Sequence, residues 1–249
     1  MSQTNVTAAI LVIGDEILSG RTQDSNSNTI ARQLGALGID VREARVVSDI
    51  EAEIIAALDA LRSRYTYVFT TGGIGPTHDD ITADSVAKAF GVTIDEHPDV
   101  IAMMLKRYKL GDLTPARRRM ARIPAGATLV ENAVSGPPGF RIGNVIVMAG
   151  VPSVMQAMLD NAAKDLETGV RLTVETIEAG GVPEGRYGDA LGRIAKEHPE
   201  TIIGSYPSFA DGKFRNQIVV RGRDPAKVVE ARGAVTAMLA ELAGDGKPL

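Results

Sequence analysis

The chain holds no cysteine and only three histidines, His78, His97 and His198. The first absence rules out disulfides, thiolate metal sites and a cysteine nucleophile. The second leaves a multi-histidine zinc centre without ligands, since each histidine stands beside proline or an acidic residue in loop-like sequence. Long hydrophobic runs are also missing. The apolar stretch Ala8 to Ile13 is strand-sized and far too short for a bilayer, and no basic leader precedes it. No membrane partner is expected, and a cytoplasmic location follows as the default. Basic charge is not in excess either: 27 Lys and Arg against 31 Asp and Glu give a net charge of −4. That balance offers no electrostatic footprint for nucleic acid. Internal repeats and low-complexity tracts are absent as well. What remains is ordinary globular sequence, 249 residues with 44% hydrophobic and 23% charged content, long enough for one main domain and a smaller one.

Ala8-Ala9-Ile10-Leu11-Val12-Ile13 reads as a strand buried on both faces, ended by Gly14. A turn-rich loop, Gly14-Asp15-Glu16-Ile17-Leu18-Ser19-Gly20, follows. Asp24-Ser25-Asn26-Ser27-Asn28 supplies helix-cap chemistry for a helix with Ile30, Leu34 and Leu37 on one face, stopped by Gly38. Ile39 to Val47 reads as a second strand, and Asp49 as the cap of a helix carrying Ile54, Leu58 and Leu61. A third strand, Tyr65 to Thr71, runs into Thr71-Gly72-Gly73-Ile74-Gly75-Pro76-Thr77-His78-Asp79-Asp80-Ile81-Thr82, with a helix from Thr82 to Phe90. This alternation predicts an α/β protein with a three-layer α/β/α arrangement around a mostly parallel sheet, whose ligands bind at the carboxyl ends of the strands. Beyond Phe90 the pattern reads as helical, with Val100, Ile101, Met104, Leu105 and Tyr108 forming an apolar stripe. Arg117, Arg118, Arg119 and Arg122 are either a solvated face or an arm that neutralises a substrate phosphate. Gly143-Asn144 predicts a hairpin turn into a buried strand, Val145 to Met148, which ends in a third polar loop, Ala149-Gly150-Val151-Pro152-Ser153. The domain boundary is placed at Thr168-Gly169, dividing the chain into 1–168 and 169–249. The second part reads strand, helix, strand, hairpin, strand, helix. Its 11 basic and 11 acidic residues again argue against a nucleic-acid face.

Three glycines at a strand end let main-chain N–H groups approach an anion, and a helix start adds the positive end of a dipole. Carboxylates beside such a cradle would repel phosphate unless a cation stood between, so Asp79 and Asp80 point to Mg²⁺ or another divalent ion. In an enzyme, Asp79 and Asp80 would hold the metal, Gly72, Gly73 and Gly75 would stabilise phosphate charge, Glu16 or Asp15 would act as general base, and Arg119 would offset leaving-group charge. The other reading is a tight Gly-Pro turn in which Asp80 caps a helix. His78 reads as a solvent-facing loop histidine, and Ser153 as a cap or phosphate contact rather than a nucleophile.

Gly14-Asp15-Glu16-Ile17-Leu18, Asp24-Ser25-Asn26, Thr71-Gly72-Gly73-Ile74-Gly75-Pro76-Thr77 and Asp79-Asp80-Ile81-Thr82 together resemble the molybdopterin-binding (MoaB/Mog-like) domain of the competence/damage-inducible CinA family. The similarity runs over residues 5 to 165 and includes Asn132, Pro138-Gly139 and Gly150-Val151-Pro152-Ser153; the last 80 residues are similar in layout to a small KH-like α+β domain. The resemblance implies a phosphorylated pterin (molybdopterin, in some cases adenylylated) or an ADP-ribose-like dinucleotide hydrolysed at its pyrophosphate with a divalent metal. The candidate ligand contacts are Gly14, Asp15, Asn26, Thr71, Gly72, Gly73, Gly75, Thr77, Thr82, Asn132, Gly139, Gly150, Pro152 and Ser153, with Arg119 added from the basic cluster. A homo-oligomer is expected on the same basis. A non-catalytic ligand-binding or assembly module is the alternative. The nicotinamide-mononucleotide deamidase domain of long-form relatives is not among these residues, so that activity is not expected. Two departures bear on the chemistry: Val154 stands where the family has a glutamate, and Arg117-Arg118-Arg119-Met120-Ala121 replaces Asn-x-Lys-Gln-Ala.

Overall fold

The computed structural model describes residues 5–210 and 213–244. It divides into two compact units, Met1–Gly169 and Val170–Leu249.

The first unit begins with β1 (Thr7–Ile13), a one-turn α1 (Asp15–Leu18), α2 (Asn26–Ala36), β2 (Asp40–Val47), α3 (Glu51–Arg62), β3 (Tyr67–Thr71) and α4 (Thr82–Phe90). It continues through β4 (Ile94–Glu96), α5 (Pro98–Leu105), α6 (Pro115–Arg119), β5 (Arg122–Pro124), β6 (Thr128–Val130), β7 (Gly139–Ile142), β8 (Val145–Met148) and α7 (Pro152–Ala162). The main sheet has the order β2-β1-β3-β8-β7-β6. Its first four strands are parallel, and β7 and β6 extend it antiparallel. Gly143, at φ 55°, and Asn144 turn β7 into β8 as a two-residue hairpin, as their sequence predicts.

Alternation along β1 divides the core between the two faces. Ala8, Ile10 and Val12 pack with Ile30 and Leu34 of α2 and Met155, Met158 and Leu159 of α7. Ala9, Leu11 and Ile13 pack with Ile54, Leu58 and Leu61 of α3 and with Val86 and Met104. Apolar side chains on every position of β1 from Ala8 to Ile13 are what a central strand covered on both sides requires. Because β1 leads to α2 on one face and its neighbour β3 leads to α4 on the other, a crevice opens at the carboxyl ends of β1 and β3.

The stretch beyond Phe90 differs from its all-helical reading. Ile94–Glu96 and Arg122–Pro124 pair as a small antiparallel sheet flanking α5 and α6. Three-residue strands carry too little periodicity to be seen in sequence.

The second unit holds β9 (Thr173–Glu178), α8 (Glu184–Glu197), β10 (Thr201–Ala210), β11 (Lys213–Gly222) and α9 (Pro225–Gly244), with antiparallel sheet order β10-β11-β9. Tyr187, Leu191 and Ile194 of α8 and Val228, Ala231 and Val235 of α9 pack with Ile218 and Val220 of β11 in a separate core.

Candidate functional site

Asn26, the first residue of α2, joins three rim segments. Its Nδ2 donates to Thr71 Oγ1 at the end of β3 (2.8 Å) and to the Gly150 carbonyl after β8 (2.8 Å). Thr71 in turn donates its hydroxyl proton to the Ala149 carbonyl (2.9 Å). Asp24 accepts from the Ser27 N–H (3.1 Å) and so fixes the start of α2. Around this knot lies a cavity of about 70 Å³, lined by Glu16, Asp24, Asn26, Thr71, Gly72 and Pro152 among others. Four of the polar segments singled out in sequence therefore meet at one place. Ser153, exposed at the start of α7, follows Pro152 there.

The glycine loop is built differently from its sequence reading. Gly72 has φ 107°, and a Cβ there would stand 2.1 Å from the Ile13 carbonyl oxygen, so glycine is required by close approach of two strand ends. Its N–H donates to Met148 O (3.2 Å). The Gly75 N–H donates to Asp80 Oδ1 (2.6 Å), while the Thr77 N–H (2.8 Å) and hydroxyl (2.5 Å) donate to Asp80 Oδ2. Two of the three amides expected to cradle an anion are thus already bonded. Among the described residues, the N–H groups of Gly73 and Ile74 have no internal acceptor and stay open to a ligand. Thr82 closes the loop from below, its N–H meeting Gly73 O and its hydroxyl Gly72 O, both at 3.0 Å.

Asp79 and Asp80 do not fit a paired metal anchor. Both oxygens of Asp80 accept from its own loop, and Asp79 points outward with 61% of its side chain exposed. Among the described residues, no three His, Cys, Asp or Glu side chains gather as a metal site. His78 is 98% exposed, in keeping with a solvent-facing loop residue.

Asp49, expected to cap α3, does not; residue 50 is the cap position, and it makes no side-chain bond there. Instead Asp49 accepts the Asp15 N–H (2.9 Å), and Ser48 donates to Asp15 Oδ1 (2.5 Å), tying the one-turn α1 to the end of β2. Burial pushes the Asp49 carboxyl up, the Asp15 N–H pulls it back, and the negative charges of Asp15, Glu16 and Asp79 push it up again. These four carboxylates share the rim. The signal that could have found Asp49 is its place: a polar pair, Ser48-Asp49, at the carboxyl end of a parallel strand. Gly14 donates its N–H to Val47 O (3.1 Å), and the Glu16 carboxylate lies over it.

The arginines are mostly paired. Arg118 bonds Glu96, Arg122 bonds Asp84 (2.7 Å), and Arg117 lies over the Tyr108 ring while donating to Asp112 O (2.7 Å). Arg119 is the one turned to the glycine loop: its guanidinium donates to Asp80 O (3.2 Å) beside a cavity of about 20 Å³, room for a single water. The Asn132 side chain, a candidate ligand contact, is engaged locally. Its Nδ2 donates to Pro137 O (2.6 Å) and its Oδ1 accepts from Val134, Ser135 N–H and the Ser135 hydroxyl, so it holds its own loop. Gly139 is a buried strand residue pressed against Val147 O, not a loop contact. Val154 packs in the core, only 7% exposed.

The first unit is a doubly wound α/β domain with a polar rim at the carboxyl ends of its strands. Residues 9–168 match the family model described as a probable molybdopterin binding domain, and the chain belongs to that family. Within it the chain is a CinA-type protein. A CinA-like protein of Thermosynechococcus vestitus is 29% identical over 96% of this chain, which spans 59% of that relative. A protein of Thermoplasma acidophilum is 34% identical over 83% of this chain and 82% of its own length. The crystal structure of CinA from Thermoplasma acidophilum, a protein described as of unknown function, aligns with TM-score 0.61 and 38% identity over 65% of this chain and 98% of that one. Residues 171–244 match the model described as the FAD synthase middle domain, a different name for that stretch from the KH-like one the resemblance implied. None of the described helices is long and apolar enough to cross a membrane.

Proposed function

We propose that the rim of the first unit binds a small phosphorylated ligand, either a phosphorylated pterin such as molybdopterin or an ADP-ribose-like dinucleotide. The observation that carries this reading is the Asn26 knot, which holds the ends of β3 and β8 and the start of α2 around one cavity. The family description favours the pterin, and the FAD synthase name attached to the second stretch favours a dinucleotide. The phosphate is assigned to the open N–H groups of Gly73 and Ile74, the start of α7 at Ser153, and the cation of Arg119.

Hydrolysis of a bound pyrophosphate with a divalent ion is the second reading. Its support is the mutual repulsion of Asp15, Glu16, Asp49 and Asp79 along the rim, which a cation brought in by the pyrophosphate would relieve, since among the described residues the acids form no metal site by themselves. Calorimetric titration of the full chain with ADP-ribose, a phosphorylated pterin and inorganic pyrophosphate tests binding, and incubation of ADP-ribose with Mg²⁺, Mn²⁺ or Co²⁺ tests turnover. Binding without metal-stimulated turnover selects a ligand-binding module. Metal-stimulated release of AMP selects the hydrolase. If none of the three compounds binds, the assignment is wrong.

A further inference from the structure

Asn26 is 7% exposed, and its two ends are unequal. The Gly150 carbonyl can only accept, and Thr71 Oγ1 has given its proton to Ala149 O, so it too must accept from Asn26. Nδ2 is therefore fixed toward both, and a flipped amide would set oxygen against carbonyl. Oδ1 is forced the other way, buried and without any partner. A buried acceptor left unpaired is costly enough that native structures supply a donor from protein, water or ligand. The carboxylates of the same cavity wall, Glu16 and Asp24, are acceptors as well, its neutral donors Thr22, Gln23 and Ser25 make no bond to Oδ1, and no lysine or arginine lines it.

We infer that this cavity receives a neutral hydrogen-bond-donor edge of the ligand, an amine N–H or a sugar hydroxyl, with Asn26 Oδ1 as the specificity-determining acceptor, and that phosphate is excluded from it. The inference rests on the proposed binding of a phosphorylated ligand at the rim, and it divides that ligand in two. The charged part meets the amides of Gly73 and Ile74, and the donor-bearing part meets Asn26. An isosteric ligand offering oxygen in place of the donor would set two acceptors face to face, and a site built to pair a donor rejects such an analogue strongly.

The experiment uses the full chain and matched probes. One pair is a pterin and its lumazine analogue, in which oxygen replaces the exocyclic amine; the other is ADP-ribose and the form lacking the ribose 2′-hydroxyl of its adenosine. Inorganic pyrophosphate serves as the phosphate-only probe. Binding is followed by calorimetry and by the side-chain amide NMR signal of Asn26. One member of a pair is expected to bind about tenfold or more weaker than its partner, and the pair that discriminates identifies the donor as amine or hydroxyl. Pyrophosphate is expected to bind without moving the Asn26 signal, and Asn26→Ala to lose the discrimination between the members of the pair. Equal binding within both pairs overturns the inference, as does a shift of the Asn26 signal by pyrophosphate. The ligand pairs need no variant, so a poorly folding Asn26→Ala leaves the test intact. Failure of pyrophosphate and all four larger probes to bind overturns the rim reading itself, a result distinct from equal binding.

Discussion

At the scale of single residues, the same carboxylate type has been given two opposite environments on one rim. Asp80 is a loop organiser: it satisfies the Gly75 N–H and both donors of Thr77, so its removal leaves donors of a partly buried loop unpaired. Asp80→Ala should lower stability by about 1–3 kcal/mol, seen as a drop in thermal midpoint, with Asp80→Asn losing less because one oxygen remains. An Asp80→Ala protein as stable as the parent would remove that role. Asp49 is the reverse case, a carboxyl whose ionised form is disfavoured by burial and by its acidic neighbours. Its folded value lies above its unfolded one, so the stability it adds is present in acid, below the ordinary carboxyl range, and is lost as pH rises through the raised value. Asp49→Asn keeps an acceptor for the Asp15 N–H and sheds the charge. The variant should therefore melt higher than the parent near neutral pH, and the difference should shrink on acidification; a difference that grows toward acid would contradict the stated cause.

Among the elements, the loop between β3 and α4 does its work by backbone proximity. Gly72 at φ 107° leaves 2.1 Å between a built Cβ and the Ile13 carbonyl, and Thr82 bonds the carbonyls of both Gly72 and Gly73. Gly72→Ala must push the ends of β1 and β3 apart or strain its own backbone, a loss of about 1–3 kcal/mol or more. Because the displaced strand end carries Thr71, that variant should also weaken ligand binding at the rim, measurable in the same titrations; unchanged stability and affinity would show that the close approach is dispensable. Loop 132–137 shows the same economy of side chains. Asn132 bonds across it and Arg107 donates to Ala133 O and Val134 O, both at 2.8 Å, so the polar residues there fold the loop and do not face the cavity.

On the scale of the whole molecule, each unit carries its own core, and every residue of the rim belongs to the first. A fragment of residues 1–169 should fold cooperatively and keep pyrophosphate affinity within a few fold of the full chain; a fragment that folds yet does not bind would place part of the site elsewhere. The apolar run of β1, the glycine and proline punctuation and the helical stripes were enough, without coordinates, to read the parallel sheet, its helices and the layout of the second unit, because burial on two faces and tight turns restrict composition locally. They also marked the rim, since glycines and acids at strand ends are a local pattern. Which end of Asn26 lacks a partner depends on groups 45 and 124 residues away in the chain, Asp49 faces Asp15 across 34 residues, and the Gly72 amide is taken by Met148. Hydrogen bonding saturates: a donor or acceptor taken by a distant residue is no longer available to a ligand, and only the folded arrangement decides which ones are taken.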